Sequence, residues 1–89
     1  MTTVVISHAV GNMDTWLKGG EERKALFSRY CSSYKILRQE GTNRVSIVCE
    51  NVDLGKMEAA MGAPEIAKAK AAHTVIEPLE VYIEVAGGK

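Results

Sequence analysis

The order of its hydrophobic periods constrains the fold of this 89-residue chain more than any single motif does. Segments that alternate apolar and polar residues, or are rich in β-branched residues, are typical of strands. Such segments lie at residues 3–10, 33–40, 44–50 and 79–85. Apolar residues at three- and four-residue steps are typical of helices, and these occupy residues 13–30, 53–61 and 64–73. The predicted order is strand, helix, strand, strand, helix, strand, with the second helix interrupted before Pro64.

This order, with a hairpin over the Gly41-Thr42-Asn43 turn, is the βαββαβ arrangement of a ferredoxin-like α+β domain. Right-handed crossovers place the four strands in one antiparallel sheet and both helices on one face of it. A chain of this length makes one domain. We therefore predict a single ferredoxin-like domain over residues 1–89.

The first strand carries apolar residues on both of its faces. Val4, Ile6 and His8 share one face with Val10, whereas Val5 and Ala9 lie on the other. A lone sheet with one face in water would alternate cleanly, so something should cover the face without helices. A second copy of the same sheet is the economical answer, and we expect a homodimer.

Composition excludes several classes of partner. Eleven basic and eleven acidic residues cancel, which argues against nucleic acid as the main partner. No stretch approaches the roughly 20 apolar residues of a membrane helix, and the first ten residues lack the features of a secretory signal. Cys31 and Cys49 show no CxxC spacing, so two small hydrophobes are expected rather than a disulfide. The expected location is the cytoplasm.

His8 and Trp16 are the strongest candidates for a functional site. A histidine on an apolar strand face is costly unless it is hydrogen-bonded, and burial favours the neutral imidazole of a general base or of a metal or haem ligand. The alternative for His8 is a core histidine satisfied by a backbone carbonyl or a carboxylate. Trp16 is interpreted as a pocket wall that stacks on a flat ligand, or as the core anchor of its helix.

Three further residues are candidates for the site, and each also has an ordinary structural interpretation. Arg38 could hold a carboxylate in a bidentate pair, although an ion pair within the protein is the commoner outcome. The Tyr82 hydroxyl could act in catalysis by stabilising an oxyanion, or Tyr82 could belong to a dimer interface. Arg23 falls on the Trp16 side of its helix and could bind substrate at the pocket mouth, but solvent exposure is the commoner outcome. His73 is interpreted as structural, at a helix end.

Strong catalytic motifs are missing from the sequence. It contains no Gly-rich phosphate loop and no nucleophile elbow. His, Cys and Asp residues are not clustered with metal-ligand spacing. We therefore assign neither a cofactor nor a metal from the sequence.

The chain resembles the dimeric α/β-barrel superfamily, which contains antibiotic-biosynthesis monooxygenases and stress-responsive barrel proteins. The resemblance rests on a strand that ends in His8, followed by a helix start at Asp14 and Trp16, and it continues through Arg23, Arg38, the hairpin, the NVDLGKMEAAM helix and the closing strand. Asn12 departs from the pattern, in which an aspartate is typical. The resemblance implies a homodimer whose sheets pair into a barrel, with a pocket between each sheet and its helices.

Three functional hypotheses follow. The first is a small-molecule-binding barrel that acts as a cofactor-independent, monooxygenase-like enzyme on a small aromatic or apolar substrate. In it His8 takes a proton from a phenol-like substrate, Trp16 stacks on the ring, and Arg38 or Tyr82 steadies the anion. The second is a haem-binding barrel that uses His8 as ligand. The third is a non-catalytic dimeric module with a structural or regulatory role, whose pocket is simply core.

Overall fold

The computed structural model describes residues 2–88, so Met1 and Lys89, the end residues of the predicted domain, lie outside it. The strands are β1 Thr2–Val10, β2 Ser33–Arg38, β3 Arg44–Val52 and β4 Val75–Ile83. The helices are α1 Met13–Lys18, α2 Gly20–Phe27, α3 Leu54–Met61 and α4 Pro64–Ala72. The predicted order is confirmed, with each of the two helical regions divided into two helices.

The four strands form one antiparallel sheet in the order β2-β3-β1-β4. Ile6 lies opposite Ile47 of β3 and Val81 of β4, and Ile47 in turn lies opposite Ile36 of β2. The two long strands β1 and β3 therefore occupy the centre, and the crossovers through α1–α2 and α3–α4 lead to the outer strands. This is the predicted ferredoxin-like α+β fold.

The first helical region was predicted over residues 13–30, with Gly19-Gly20 as a kink or a close approach to another backbone, and the structure breaks it at Gly19. Asn12 caps α1, because its Oδ1 accepts the Thr15 N–H at 3.0 Å. A Cβ added at Gly19 would lie 2.5 Å from Nε2 of His73. Gly19 thus marks both a break between two helices and a close approach to another element.

The second helical region divides before Pro64, as predicted. Asp53 caps α3 by accepting the Lys56 N–H at 3.1 Å, and Pro64 is the first residue of α4. Proline fits there because the first turn of a helix has no use for its missing N–H.

Strand β4 begins at Val75, four residues before the predicted start at Leu79, and includes Pro78. The predicted bounds were wrong because they followed only the alternating segment from Leu79 to Val85. An edge strand tolerates proline, since one side of its backbone needs no partner within the sheet. The register of the β1–β4 pairing shifts between Ser7, which lies opposite Glu80, and Ala9, which lies opposite Ile76. Strand β4 therefore contains two more residues than β1 across this shift.

The sheet has a covered face and an open face. On the covered face, where the helices pack, the buried core unites strand residues with Trp16, Met57 and Ala60 of the helices. The strand residues are Val4, Ile6, Val10, Val45, Ile47, Cys49 and Val52. The open face carries the hydroxyls of Ser7 and Ser46, whose oxygens lie 2.7 Å apart, among apolar side chains. Those side chains are Val5, Ala9, Leu37, Val48, Ile76 and Tyr82.

Candidate small-molecule site

A cavity of about 70 Å³, partly open to the surface, lies between the covered face of the sheet and the helices. Its walls are mainly aliphatic and aromatic side chains. The polar groups that reach it belong to His8, Arg23, Lys70 and His73, and Trp16 forms part of its wall. Pockets for drug-sized ligands span roughly 300–1,000 Å³, so this cavity admits a small molecule or one part of a larger one.

His8 stands on the central strand β1 and is 2% exposed. Its Nδ1 donates to the carbonyl oxygen of Ala9 at 2.9 Å. A carbonyl oxygen only accepts hydrogen bonds, so in the neutral ring Nδ1 carries the hydrogen and Nε2 keeps a lone pair. Within residues 2–88 that Nε2 has no hydrogen-bond partner. His8 therefore offers a free proton acceptor beside the cavity.

Burial lowers the pKa of His8 below its usual value of 6.5. The bond to Ala9 opposes this shift, and the positive charge of Arg23 adds to it. Because the lowered pKa disfavours the imidazolium, the ring is neutral at pH 7. A neutral ring is the form that a general base requires.

Trp16 stands in α1 and is fully buried. Its indole meets the His8 ring edge-on, with ring centroids 5.9 Å apart at an interplanar angle of 67°. The same side chain belongs to the core cluster and to the cavity wall. Trp16 is therefore both a core residue and part of the cavity wall, so the two interpretations of it do not exclude each other.

Arg23 is 4% exposed, so the expectation that it faces solvent is wrong. Its guanidinium carbon lies 3.7 Å from the centroid of the Trp16 ring, and its Nη2 donates to the Trp16 carbonyl oxygen. Trp16 lies in α1 and Arg23 in α2, and the two side chains come together across the break at Gly19. This stacking holds the cation inside the fold, at the cavity wall.

His73 follows α4 and lines the cavity from the side opposite the sheet. Its ring lies against Gly19, and its Nε2 is 3.3 Å from Oε2 of Glu22. Sequence reasoning did not place His73 or Lys70 at the site. Nothing local to α4 signals their position, because it depends on how α4 packs against α2.

Arg38 and Tyr82 do not line the cavity. Arg38 stands exposed at the end of β2, where Nε donates to Thr42 O at 2.7 Å and Nη2 donates to Asn43 Oδ1 at 3.0 Å. Tyr82 is 57% exposed and points to the open face, opposite Val5. Of the five predicted site residues, the structure brings together His8, Trp16 and Arg23 and separates the other two from them.

Metal and haem sites find little support among the described residues. No group of three or more His, Cys, Asp or Glu side chains in residues 2–88 could hold a metal ion. The cavity beside His8 is far too small for a haem macrocycle, so the haem hypothesis does not fit this site.

The two cysteines are free thiols, and Cys49 is buried. Burial raises the pKa of Cys49 to about 12.

None of the helices within residues 2–88 has the length and apolar character needed to cross a bilayer.

Comparison with solved structures identifies proteins of the same fold. A candidate antibiotic biosynthesis monooxygenase from Bordetella bronchiseptica superposes with a TM-score of 0.74 at 18% identity, over 94% of each chain. Another from Caulobacter crescentus gives 0.70 at 14% identity, over 93% of this chain and 86% of that one. The cofactor-independent oxygenase SnoaB from Streptomyces nogalater gives 0.62 at 16% identity, over 91% and 88%.

No protein-family model matches the sequence. No curated protein matches it significantly either. The structural neighbours confirm the predicted ferredoxin-like fold, and at these identities they establish the fold alone.

Proposed function

We propose that the protein binds a small molecule in the cavity beside His8 and acts on it as a cofactor-independent, monooxygenase-like enzyme. The observation that carries the proposal is the unpartnered Nε2 of His8, which lies with the Trp16 indole at a mainly apolar cavity. An apolar pocket with a few convergent polar groups is the usual form of a ligand site. The shared fold with oxygenases adds support at the level of analogy.

In this proposal His8 is the general base. Its Nε2 accepts a proton from an acidic O–H of a phenol-like substrate, and the Ala9 carbonyl holds the ring through Nδ1. Loss of that proton leaves an anion that is more easily oxidised than the neutral molecule, which is what reaction with dioxygen without a cofactor requires. Trp16 and the aliphatic wall pack against the substrate ring and limit access of water.

The cavity volume restricts the substrate. About 70 Å³ is less than half of the 150 Å³ engineered cavity that holds one benzene molecule. The substrate is therefore small, or its reacting part enters while the remainder lies in the cavity mouth.

We further propose that two copies of the chain pair through the open face. Leu37, Ile76 and Tyr82 leave large apolar surfaces exposed there, and Leu37 is 51% exposed. Large apolar side chains exposed together on one sheet face favour an interface with another protein surface. A second copy offers the same surface, so the pair closes on itself. The cytoplasmic location stays part of the proposal, since two thiols fit a reducing compartment.

The test uses Trp16, the only tryptophan of the chain, as a reporter built into the cavity wall. A panel of small phenols and enolisable ketones is screened for changes in Trp16 fluorescence, and dioxygen consumption is then measured with each compound that binds. We expect His8→Ala to abolish consumption and Tyr82→Phe, on the open face, to leave it unchanged. Equal turnover by His8→Ala and wild type would rule out the proposed role of His8.

A second candidate function is a non-catalytic dimeric module. The small volume of the cavity favours it, as does the hydrogen bond that already satisfies Nδ1 of His8. A protein that dimerises while no compound in the panel changes its Trp16 fluorescence would support this candidate over the enzyme.

A further inference from the structure

Arg23 is a buried cation without a carboxylate partner in residues 2–88. The ion pairs of the described chain join Arg29 to Glu65, Arg44 to Glu80, Lys70 to Glu77 and His73 to Glu22. Arg23 takes part in none of them, although it is 4% exposed. Buried charges in proteins are normally paired, because removing a charge from water without a counter-charge is costly.

Nearby groups compensate Arg23 only in part. The Trp16 ring faces the guanidinium at 3.7 Å, and cation–π contacts are worth about 0.5–2 kcal/mol. The carboxylate of the adjacent Glu22 contacts His73 instead. Burial lowers the pKa of Arg23, and the nearby charge of Glu22 opposes this shift only in part. No carboxylate of the described chain bonds directly to the guanidinium.

Most of the Arg23 donors are free to bind something else. A guanidinium has five N–H donors, and within residues 2–88 only Nη2 of Arg23 has an acceptor, the Trp16 carbonyl oxygen. The Tyr30 hydroxyl is the one fully sealed side-chain polar atom without a partner in that range. The other Arg23 nitrogens are therefore not sealed, and Arg23 lines the cavity.

We infer that the ligand of this cavity carries a carboxylate that pairs with Arg23, while its apolar part lies against the wall beside Trp16 and His8. This inference rests on the proposed function and names the chemical class of the ligand. A planar carboxylate matches the fork of a guanidinium with two parallel hydrogen bonds. One negative charge neutralises one cation, and the aliphatic wall accepts a short chain or one edge of a ring.

Pairing of the ligand carboxylate with Arg23 also affects the pKa of His8. The Arg23 charge is one cause of the lowered pKa of His8. A bound carboxylate offsets that charge and so strengthens the basicity of Nε2 when the ligand is present. Arg23 is thus a binding residue that prepares the general base for its substrate.

The inference is tested by binding titrations that compare acids with their neutral amides. Benzoate against benzamide, and butyrate against butyramide, differ mainly in charge and cover two sizes. Trp16 fluorescence reports binding directly, because the indole contacts the Arg23 guanidinium. We expect at least one of the acids to bind at least tenfold more tightly than its amide.

Arg23→Met removes the charge and keeps an unbranched apolar side chain. We expect this variant to fold, since it loses an unpaired buried charge, and to lose the preference for the acid. Lys24→Met is the matched control, because it removes one positive charge from an exposed position on the same helix. Lys24→Met should keep the full preference.

Each outcome separates the inference from the function on which it rests. Equal binding of acid and amide by the wild type, or an unchanged preference in Arg23→Met, overturns the inference and leaves a small-molecule site in place. Failure of all four probes to bind, with no hit in the phenol and ketone panel, overturns both. Should Arg23→Met not fold, Arg23→Lys is used, and a preference that does not fall at least threefold overturns the inference.

Discussion

The two faces of one sheet differ in what they leave unsatisfied. The covered face packs against the helices and buries Val4, Ile6 and Ile47, yet a nitrogen of His8 and most donors of Arg23 lack partners there in the described chain. The open face has its central hydroxyls paired with one another and leaves apolar side chains exposed. On the covered face polar groups lack hydrogen-bond or charge partners, whereas on the open face apolar side chains lack an apolar surface to pack against.

This difference indicates two different kinds of partner. Unpartnered polar groups in an apolar cavity call for a small ligand that supplies the missing acceptor or proton. An exposed apolar face is covered by a surface of matching shape, which another copy provides. The comparison thus divides the proposed roles, with binding on the covered face and self-association on the open face.

The largest expected effect comes from truncating one side chain on each face. Ile47→Ala should destabilise the protein by about 2–5 kcal/mol, because it opens a space in the buried core. Urea unfolding at low and high protein concentration should give the same loss. Leu37→Ala should cost less, and its cost should grow with concentration, since it acts through the dimer. The same concentration dependence for both variants would contradict the division of roles.

Introducing a charge on the open face should break the dimer. Val48 stands on β3, opposite Val5, and Val48→Arg would bring two like charges together across a self-complementary interface. We expect the dimer dissociation constant to rise about 100-fold, as measured by light scattering during gel filtration. Leu17→Arg, at an exposed apolar position on α1, is the control and should remain dimeric. A dimeric Val48→Arg would place the interface elsewhere.

Packing of the helices over the covered face should be tight at Gly19 and loose at Gly20. A methyl group at Gly19 would meet the His73 ring at about 2.5 Å, whereas a methyl group at Gly20 would meet nothing within 4 Å. Gly19→Ala should cost about 1–3 kcal/mol through overpacking. Gly20→Ala should be neutral, or stabilising by up to about 1 kcal/mol. Thermal unfolding of both variants tests this, and equal melting temperatures would be inconsistent with the close contact.

The smallest expected effect is a pH dependence that comes from His8. Its pKa is lowered in the folded state, so below about pH 6.5 the unfolded chain binds a proton that the folded protein resists. Stability should therefore fall as the pH drops through that value, and it should be independent of His8 above it. Urea unfolding at pH 7.5 and pH 5.5 should show a smaller loss in His8→Gln than in wild type. An equal loss in the two proteins would mean that His8 is not held neutral by burial.

Much of the fold was predictable because local patterns and tertiary packing agree. The β-branched residues of β1, the alternation in β3 and Pro64 at a helix start all lead to the observed elements. The contact of Gly19 with His73 and the early start of β4 were not predictable, because they depend on contacts distant in sequence. Gly19 packs on His73, and β4 continues through Pro78 because it lies at the sheet edge.

The candidate site was only half predictable from the sequence. His8 and Trp16 stood out as a histidine on an apolar strand and an aromatic residue near a helix start. Arg23 looked like a surface residue, since arginine is seldom buried, and its seven-residue spacing from Trp16 was the one signal of its position. Arg38 and Tyr82 were attractive as residue types, but chain turns and strand pairing carry them away from the cavity.

Native mass spectrometry of wild type and His8→Ala, each with the compound that most strongly changes Trp16 fluorescence, tests the central claim most directly. It reports the subunit count and the bound mass in one experiment. The division of roles between the two faces predicts a dimer for both proteins, with the ligand mass on the wild type and little or none on His8→Ala. A monomeric wild type, or the same bound mass on both proteins, would contradict it.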